Sequence, residues 1–226
     1  MDRDALKRAA AERAVAEVTS GMVIGLGSGT TAEIAVALLG EKVAAGLQIM
    51  GIATSERTAS LARSLGIALT DFAAHPQLDL AIDGADQVEL GTLNLIKGLG
   101  GALLREKIVA AATRRMIVIV DQGKLVPKLG GQTPLPVEIT SFGWPSTLER
   151  LAAAGYRPIL RQTGGQPFVT DGGNHIADCA IVTIADAARL QADLHAIVGV
   201  VETGLFIGMA AKVVVGGPQG VEELTR

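Results

Sequence analysis

The chain has 226 residues, of which 49% are hydrophobic and 19% are charged, and its net charge is −3. This length suits one large domain or one domain with a small appendage, and the composition supports a folded core rather than a disordered chain. The basic residues are scattered and aromatic residues make up only 3%, whereas a nucleic-acid surface needs a basic face and often stacking rings. The sequence therefore predicts no nucleic-acid partner, while small anions remain candidates.

The N-terminal sequence, the apolar runs and the single cysteine indicate in which cell compartment the protein resides. The N-terminal run MDRDALKRAAAERAVAEV predicts an amphipathic helix and not a signal peptide. No apolar run approaches the roughly 18 residues that cross a membrane. Cys179 is the only cysteine and lies in the apolar run ADCAIVTIA, so we expect a buried structural thiol and no disulfide. These features predict a cytoplasmic protein without a membrane partner.

Short apolar strands alternate with helical patterns through the first half of the chain. The patterns predict strands at 23–26, 48–52, 79–82 and 116–120, and helices at 31–39, 56–65 and 103–115. Such alternation is typical of an α/β fold, here a Rossmann-like, mostly parallel sheet with helices on both faces.

The pattern changes after Lys124, and the Gly- and Pro-rich segment 129–136 marks a boundary. Strands are predicted at 137–140, 157–161, 168–169, 175–184 and 197–202, with helices at 145–154 and 186–195. Merging the pieces around TDGGN gives the order β-α-β-β-α-β, the split-βαβ or ferredoxin-like arrangement. A strand at 212–215 returns to the first sheet. We therefore predict an α/β domain of residues 1–128 and 205–226 with a small α+β domain, 129–204, inserted into it.

The run VIGLGSGTTAEIA predicts a strand, a tight turn and a helix. Such a turn presents backbone N–H groups at a helix N-terminus, where the dipole favours an anion. The hydroxyls of Ser28, Thr30 and Thr31, beside Gly29, can add donors. One interpretation is a site for a phosphate or a sugar oxygen.

Two other interpretations of this turn stay open. The glycines can simply make a tight strand–helix connection. A nicotinamide dinucleotide site requires G-x-G-x-x-G; Gly25 and Gly27 fit, but Thr30 occupies the third position, whereas a start at Gly27 and Gly29 places Ala32 there. A Walker loop is excluded because no Gly-Lys-Ser/Thr follows.

Two acids, Asp83 and Asp86, flank Gly84 and Ala85 directly after the predicted strand 79–82. Ligands of open α/β sheets bind at this carboxyl edge. The pair suits acid–base chemistry or the binding of sugar hydroxyls. Metal ligation is an alternative, but no histidine lies nearby and a Mg²⁺ site would need more clustered carboxylates. We therefore predict no metal.

Lys97 precedes a Gly-rich turn, and Glu106 follows nine residues later in a predicted helix. An ammonium beside free backbone N–H groups can stabilise an oxyanion. Helix patterning alone does not separate a functional Glu106 from a solvated charge between Arg105 and Lys107. Together, however, a carboxylate base, an oxyanion corner and hydroxyl-holding acids suit the conversion of an aldose phosphate to a ketose phosphate through an enediolate. That reaction requires no redox cofactor.

At these residues the sequence resembles ribose-5-phosphate isomerase, type A, over nearly the whole chain. The resemblance is carried by GLGSGTTA (25–32), DGAD (83–86), KGLGGALLREKI (97–108), DQGK (121–124) and GLFIG (204–208). The spacing from Asp83 through Lys97 to Glu106 agrees with the family pattern.

The resemblance implies reversible interconversion of D-ribose 5-phosphate and D-ribulose 5-phosphate, in the non-oxidative branch of the pentose phosphate pathway. It implies that Glu106 moves the proton between C1 and C2, that Lys97 stabilises the enediolate oxygen, and that Asp83 and Asp86 hold hydroxyls and assist ring opening. It further implies no metal or cofactor and a homo-oligomer, a dimer or a tetramer. The residues implied to line the substrate site are Ser28, Gly29, Thr30, Thr31, Asp83, Gly84, Ala85, Asp86, Lys97, Gly98, Leu99, Gly100 and Lys124, with Lys7 near the phosphate.

Departures from the family pattern occur at a few positions. Leu99 stands within a run that is usually Gly-Gly-Gly, and a leucine there would be strained if the backbone φ were positive. Gln87 stands where glutamate is common. Gln122 and Gly123 replace an acid and a serine.

Two alternatives to this isomerase are kept. A related sugar-phosphate isomerase or deaminase could use the same scaffold, although such a deaminase normally uses a histidine that these motifs lack. A non-catalytic sugar-phosphate sensor domain is the second, although sensors tend to lose the acids that are present here.

Overall fold

The computed structural model describes residues 3–226, so the first two residues of the predicted N-terminal helix lie outside the described part. The helices are α1 (Arg3–Val15), α2 (Thr30–Ala44), α3 (Glu56–Ser64), α4 (Leu103–Ala111), α5 (Trp144–Ala153) and α6 (Ala187–His195). The strands are β1 (Val23–Leu26), β2 (Met50–Ala53), β3 (Ala68–Leu69), β4 (Leu80–Asp83), β5 (Gln87–Glu89), β6 (Leu95–Ile96), β7 (Met116–Asp121), β8 (Leu125–Val126), β9 (Leu135–Ile139), β10 (Pro158–Leu160), β11 (Gln162–Thr163), β12 (Gln166–Pro167), β13 (His175–Cys179), β14 (Val200–Thr203), β15 (Leu205–Phe206), β16 (Ala210–Gly217) and β17 (Gly220–Thr225).

The chain divides into two compact units, and the first contains residues 3–85, 105–125 and 208–226. Its centre is a seven-stranded sheet in the order β17-β16-β7-β4-β1-β2-β3, parallel except for the edge strand β17. Strands β1, β4 and β7 are buried along their whole length, which explains why their sequences are continuous apolar runs rather than alternating ones. The predicted Rossmann-like, mostly parallel sheet is therefore confirmed.

The strand order in the sheet of the first unit reverses between β1 and β4. From β1 the chain adds β2 and β3 on one side, and then adds β4, β7 and β16 on the other. The carboxyl ends of β1 and β4 consequently border the crevice in which ligands of doubly wound sheets bind.

The core of this unit forms where the helices bury small residues against the central strands. Ala10, Ala11 and Ala14 of α1 pack in one cluster with Ile24, Leu26, Leu39, Ile117 and Val214. Alanines on the buried face of α1 let the helix lie close to the sheet, because their side chains extend only one carbon from the backbone.

The second unit contains residues 86–104 and 126–207. Its main sheet has the order β10-β13-β9-β14 with antiparallel pairs throughout. The chain order β9-α5-β10-β13-α6-β14 is the predicted split-βαβ order. A second small sheet, β15-β6-β5-β8, and the hairpin β11–β12 complete the unit. The inserted domain that the sequence predicts, residues 129–204, is smaller than this unit and stays a prediction.

The structure corrects three predicted elements. No strand exists at 168–169, because the hairpin β11–β12 ends at Pro167 and the chain then turns through Thr170. The strand predicted at 175–184 ends at Cys179; beyond it, backbone bonds join 181–184 to the loop at 129–131. Helix α4 ends at Ala111 rather than 115, since the N–H of Arg114 bonds to Leu78 across the sheet edge.

Gln87, one of the departures from the family pattern, has a structural role in β5. Its side-chain Nε2 donates to the carbonyl of Gly130, and its Oε1 accepts from the N–H of Gly130, both at 2.8 Å. An amide can donate and accept at once, whereas a carboxylate only accepts. Glutamine is therefore the residue that satisfies both backbone groups of Gly130.

A charged network joins the termini of the first unit. Glu17, after α1, accepts from Arg115 at 2.7 Å and from Lys212 at 2.8 Å. Glu223 of β17 accepts from Lys212 at 2.7 Å and from Arg13 at 2.6 Å. Burial by itself would raise the pKa of Glu17, but the hydrogen bonds and charges of Lys212 and Arg115 outweigh it and hold the pKa below its usual value of 4.5.

The substitution Glu17→Gln should lower the free energy of unfolding at pH 7 by about 1 kcal/mol, since it removes the anion shared by these cations. A lowered folded-state pKa stabilises the protein above the unfolded value of 4.5, and this contribution disappears as the pH falls through the folded value. Urea unfolding from pH 7 downward should show the stability difference between the two proteins shrinking once the pH falls below 4.5. Glu222→Gln, which changes an exposed carboxyl on the same edge strand, is the control; an equal effect of both variants would contradict the network.

Candidate active site

Several predicted site residues lie at the carboxyl edge of the seven-stranded sheet. Ser28 follows β1, Asp83 ends β4, and Lys124 ends the 3₁₀ turn Gln122–Lys124 that follows β7. Thr54 follows β2 on the same edge. Because parallel strands bring their carboxyl ends to one side, four separate segments supply polar groups to this edge.

Asp83 is almost completely buried, with 2% of its surface exposed. Its Oδ1 accepts from the N–H of Ser28 at 3.1 Å and from the N–H of Gly84 at 2.8 Å. Charged carboxylates are favoured by such backbone donors. The same contacts fix the orientation of the carboxylate at the point between β1 and β4 where the strand order reverses.

Glu106 is 6% exposed and lies in the first turns of α4. The hydroxyl of Ser28 donates to its Oε1 at 2.9 Å, and the hydroxyl of Thr54 lies 3.0 Å from Ser28 Oγ and 3.1 Å from the carbonyl of Leu26. Glu106 is therefore not a solvated surface charge. It is a buried carboxyl, which two hydroxyls in series hold in place.

The N-terminus of α2 combines backbone donors with an ammonium group. Gly29 precedes the helix with φ of 87°, which a side chain would strain. Lys7 Nζ lies 3.2 Å from Thr30 Oγ1 and 3.2 Å from Asp4 Oδ1, and Thr31 is half-buried in the first turn. This end of the helix offers N–H groups, hydroxyls and a positive charge to an anion.

In the second unit, Lys97 is 2% exposed. Its N–H donates to the carbonyl of Gly204 at 2.9 Å, and its Nζ lies 5.4 Å from the centre of the Phe206 ring. A cation above an aromatic face gains electrostatic stabilisation when water is excluded. Both ends of the residue are therefore held by the segment 204–206.

The turn after Lys97 settles whether Leu99 is strained. The positive φ angles are those of Gly98, 104°, and Gly101, 88°; Leu99 is not among the residues with positive φ. The N–H of Gly101 donates to the carbonyl of Gly98 at 3.0 Å, and the N–H of Leu99 donates to Asp86 Oδ2 at 2.9 Å. Leucine therefore fits this position, with 42% of its surface exposed.

Two features of the second unit were absent from the sequence-based prediction. Arg161 forms an ion pair with Asp178 and donates to the carbonyls of Gly98 and Leu99. An arginine and an aspartate 17 positions apart carry no periodic signal, so only the pairing of β10 with β13 reveals the contact.

The second feature is Glu138, buried in the middle of β9. It accepts from Thr170 Oγ1 at 2.9 Å, from Asn174 Nδ2 at 3.0 Å, and from the backbone N–H of Leu104 in the first turn of α4. Burial raises the pKa of this carboxyl, although the three donors oppose the rise. The loop TDGGN, which carried a strand boundary in the sequence, thus also supplies partners to a buried acid.

The remaining predictions concern groups outside this edge. Cys179 is fully buried in the core of the second unit, and burial raises the pKa of its thiol to about 12, as expected for a structural thiol. Among residues 3–226, no group of three or more His, Cys, Asp or Glu side chains is placed to hold a metal ion. No helix within the same range is long and apolar enough to cross a membrane.

Within the first unit, the structure therefore brings Ser28, Thr54, Asp83 and Glu106 together, with Lys7 beside Thr30. Gly84 and Ala85 continue from Asp83, and Lys124 stands half-buried at the same sheet edge. Within the second unit, Asp86 contacts the turn that Gly98, Leu99 and Gly100 form after Lys97.

Comparisons with known proteins agree with one another. The sequence model of the family ribose 5-phosphate isomerase A (phosphoriboisomerase A) matches residues 50–220. A ribose-5-phosphate isomerase A from Gloeobacter violaceus is 55% identical over 225 residues, which cover 100% of this chain and 98% of the relative. The structure of ribose 5-phosphate isomerase A from Methanocaldococcus jannaschii has a TM-score of 0.94 at 38% identity, with both chains covered completely. A structure of D-ribose-5-phosphate isomerase in complex with phospho-erythronic acid has a TM-score of 0.95 at 36% identity, again over 100% of both chains.

Gly27→Ala should destabilise the fold by about 2–3 kcal/mol, because the new Cβ would lie 2.6 Å from the Cα of Asp83, a backbone atom that cannot move aside alone. Urea unfolding measures the loss. Gly172→Ala is the matched control, since a Cβ there meets only atoms at 3.6 Å or more; a Gly27→Ala protein as stable as this control would contradict the close approach.

Proposed function

Because the chain belongs to the ribose 5-phosphate isomerase A family and interconverts ribose 5-phosphate and ribulose 5-phosphate, we propose that Glu106 is the base that moves the proton between C2 and C1. The single observation that carries this proposal is the 2.9 Å hydrogen bond from Ser28 to the buried Glu106 carboxyl. A carboxylate that is both shielded and oriented is suited to proton transfer from carbon, for which geometry comes first.

The proposed reaction starts from open-chain ribose 5-phosphate. Glu106 removes the proton from C2, and the negative charge passes through the enediolate to O1. The same carboxyl then returns the proton to C1, while the proton of O2 passes to O1, which leaves the ketone at C2. One base can serve both steps because C1 and C2 are adjacent in the planar enediolate.

Ser28 and Thr54 orient the base in this proposal. Thr54 donates to Ser28, and Ser28 donates to Glu106. These two hydroxyls in series hold one carboxylate oxygen and so restrict the orientation of the carboxylate. A base that is held before substrate arrives loses less entropy in the transition state.

Lys97 is proposed to stabilise the oxyanion at O1, and Asp83 and Asp86 to hold hydroxyls and to open the sugar ring, Asp83 in particular. Support comes from the burial of Lys97, since a charge in a site that excludes water acts more strongly on a developing anion. Asp83 has its orientation set by two backbone donors, which suits a group that must meet one hydroxyl.

The phosphate is proposed to bind at the N-terminus of α2, where Lys7 lies beside Thr30. Gly29, Thr31 and Lys124 would complete the phosphate-binding part of the substrate site. This assignment favours the anion-binding interpretation of the first glycine loop over a dinucleotide, because a phosphate requires only the helix end and one or two cations.

The bound compound of a solved relative agrees with this chemistry. That D-ribose-5-phosphate isomerase is in complex with phospho-erythronic acid, which carries a phosphate and a carboxylate. A carboxylate is planar and negative, as the enediolate is, so we propose that the compound binds this chain as an analogue of the intermediate. The homo-oligomer and the place in the pentose phosphate pathway stay predictions from the family, and the cytoplasmic location stays a prediction from the sequence.

Glu106→Gln should lower kcat by about 10²–10⁴-fold and leave KM within a few-fold. Glutamine keeps an oxygen for the Ser28 hydroxyl but cannot accept a proton from carbon. The formation of ribulose 5-phosphate from ribose 5-phosphate measures both constants.

The control for this substitution is Glu149→Gln, which changes an exposed carboxyl on α5 and should leave kcat unchanged. A near-normal kcat in Glu106→Gln would remove Glu106 as the base. The wild-type protein is assayed with and without EDTA, because no proposed step passes through a metal. Loss of its turnover in EDTA would contradict the metal-free mechanism.

Leu99→Gly should change kcat/KM by less than about threefold. The hydrogen bonds of residue 99 are made by its backbone N–H and carbonyl, and its φ is not one that requires glycine. Leu99→Ala separates side-chain loss from added backbone freedom. A tenfold or greater rise of kcat/KM in both variants would show instead that the leucine side chain obstructs the sugar.

A further inference from the structure

We propose that Arg161 is a positioning residue: anchored by Asp178, it fixes the turn of residues 98–101 so that the N–H of Gly100 points to the side on which Asp86 lies, toward the sugar. The proposal rests on the proposed function, in which this turn lines the substrate site. It assigns a catalytic purpose to a residue that contacts no substrate atom.

The guanidinium of Arg161 divides its donors between two tasks. Nε and Nη2 bond to the two carboxylate oxygens of Asp178, with Nε 2.9 Å from Oδ2. Nη1 remains, and it donates to the carbonyls of Gly98 and of Leu99, each at 2.9 Å. The bidentate pair sets the plane of the guanidinium, and that plane sets where Nη1 points.

The peptide between Gly98 and Leu99 is held at both ends. Its carbonyl accepts from Arg161, and its N–H donates to Asp86 Oδ2 at 2.9 Å. Because the carbonyl and the N–H of a trans peptide lie in one plane and point in opposite directions, Arg161 and Asp86 lie beyond opposite edges of this peptide group. This peptide group therefore cannot rotate without breaking a charge-assisted hydrogen bond to Arg161 or to Asp86.

The next peptide, between Leu99 and Gly100, extends the same argument. Its carbonyl also accepts from Arg161 Nη1, so the N–H of Gly100 points away from Arg161 and toward the side of Asp86. No acceptor within residues 3–226 takes this N–H. Successive N–H groups that point to one side form a concavity suited to an oxygen with negative charge. The ligand class that this predicts is the O1 oxyanion or a neighbouring hydroxyl of the sugar.

The far end of the turn is fixed by packing against the same arginine. The Phe168 ring lies 5.9 Å from the guanidinium carbon of Arg161. A Cβ at Gly101 would lie 2.7 Å from Phe168 Cε1, so glycine permits the ring to press against the turn. Arg161 therefore controls both carbonyls and, through Phe168, the point at which the turn leads into α4.

Arg161→Lys tests the proposal, because a lysine keeps the charge and can pair with Asp178 but has no planar fork to hold the two carbonyls as well. We expect kcat to fall about tenfold or more while KM for ribose 5-phosphate stays within about threefold. The affinity for phospho-erythronic acid should fall by the same factor as kcat. Arg189→Lys, which alters an exposed ion pair with Asp193 within α6, is the matched control and should change none of these.

An unchanged kcat and analogue affinity in Arg161→Lys would overturn the proposal, as would a rise of KM alone. If that variant does not fold, Asp178→Asn is judged by the same criteria, since it preserves side-chain size and frees Arg161 from its anchor. Glu106→Gln, run in parallel, separates the two levels: a normal kcat there refutes the base assignment, whereas an inactive Glu106→Gln with a normal Arg161→Lys refutes only the positioning role.

Discussion

Strands β1 and β4 approach each other so closely that only a glycine fits between them, and the arrangement of the acids in the first unit depends on this approach. Gly27 donates its N–H to the carbonyl of Ile82 at 3.0 Å, next to Asp83. The following residue, Ser28, is thereby close enough for its N–H to reach Asp83 and its hydroxyl to reach Glu106. The absence of a side chain at Gly27 thus lets Ser28 contact two acids, one at the end of β4 and one in α4.

The strands that periodicity predicted well are the fully buried ones. Residues 23–26 match β1 because four apolar residues between turn residues are enough for a buried strand and too few for a helix. By contrast, β5 and β6 were missed, since they contain two or three residues and β5 buries Gln87 and Glu89. Gln87 bonds to Gly130 and Glu89 pairs with Lys128, partners about forty positions away that a local pattern cannot indicate.

The same distinction applies to the site. The motif around Asp83, Lys97 and Glu106 was visible because its residues lie within 24 positions and match a family pattern. Arg161 and Glu138 were not, although each holds a segment next to these motifs, because their roles come from pairing between strands far apart in the chain. Sequence thus indicated the groups proposed to touch substrate more readily than the groups that hold them.

The two edges of the seven-stranded sheet carry a consequence for behaviour at high concentration. At one edge β3 has only two residues, and at the other β17 exposes Glu222 and Glu223 along its length. Open edges invite strands from other molecules, and short or charged edges discourage them. A sheet that ends in this way can stay open at both sides and still offer a poor template for fibrous aggregation.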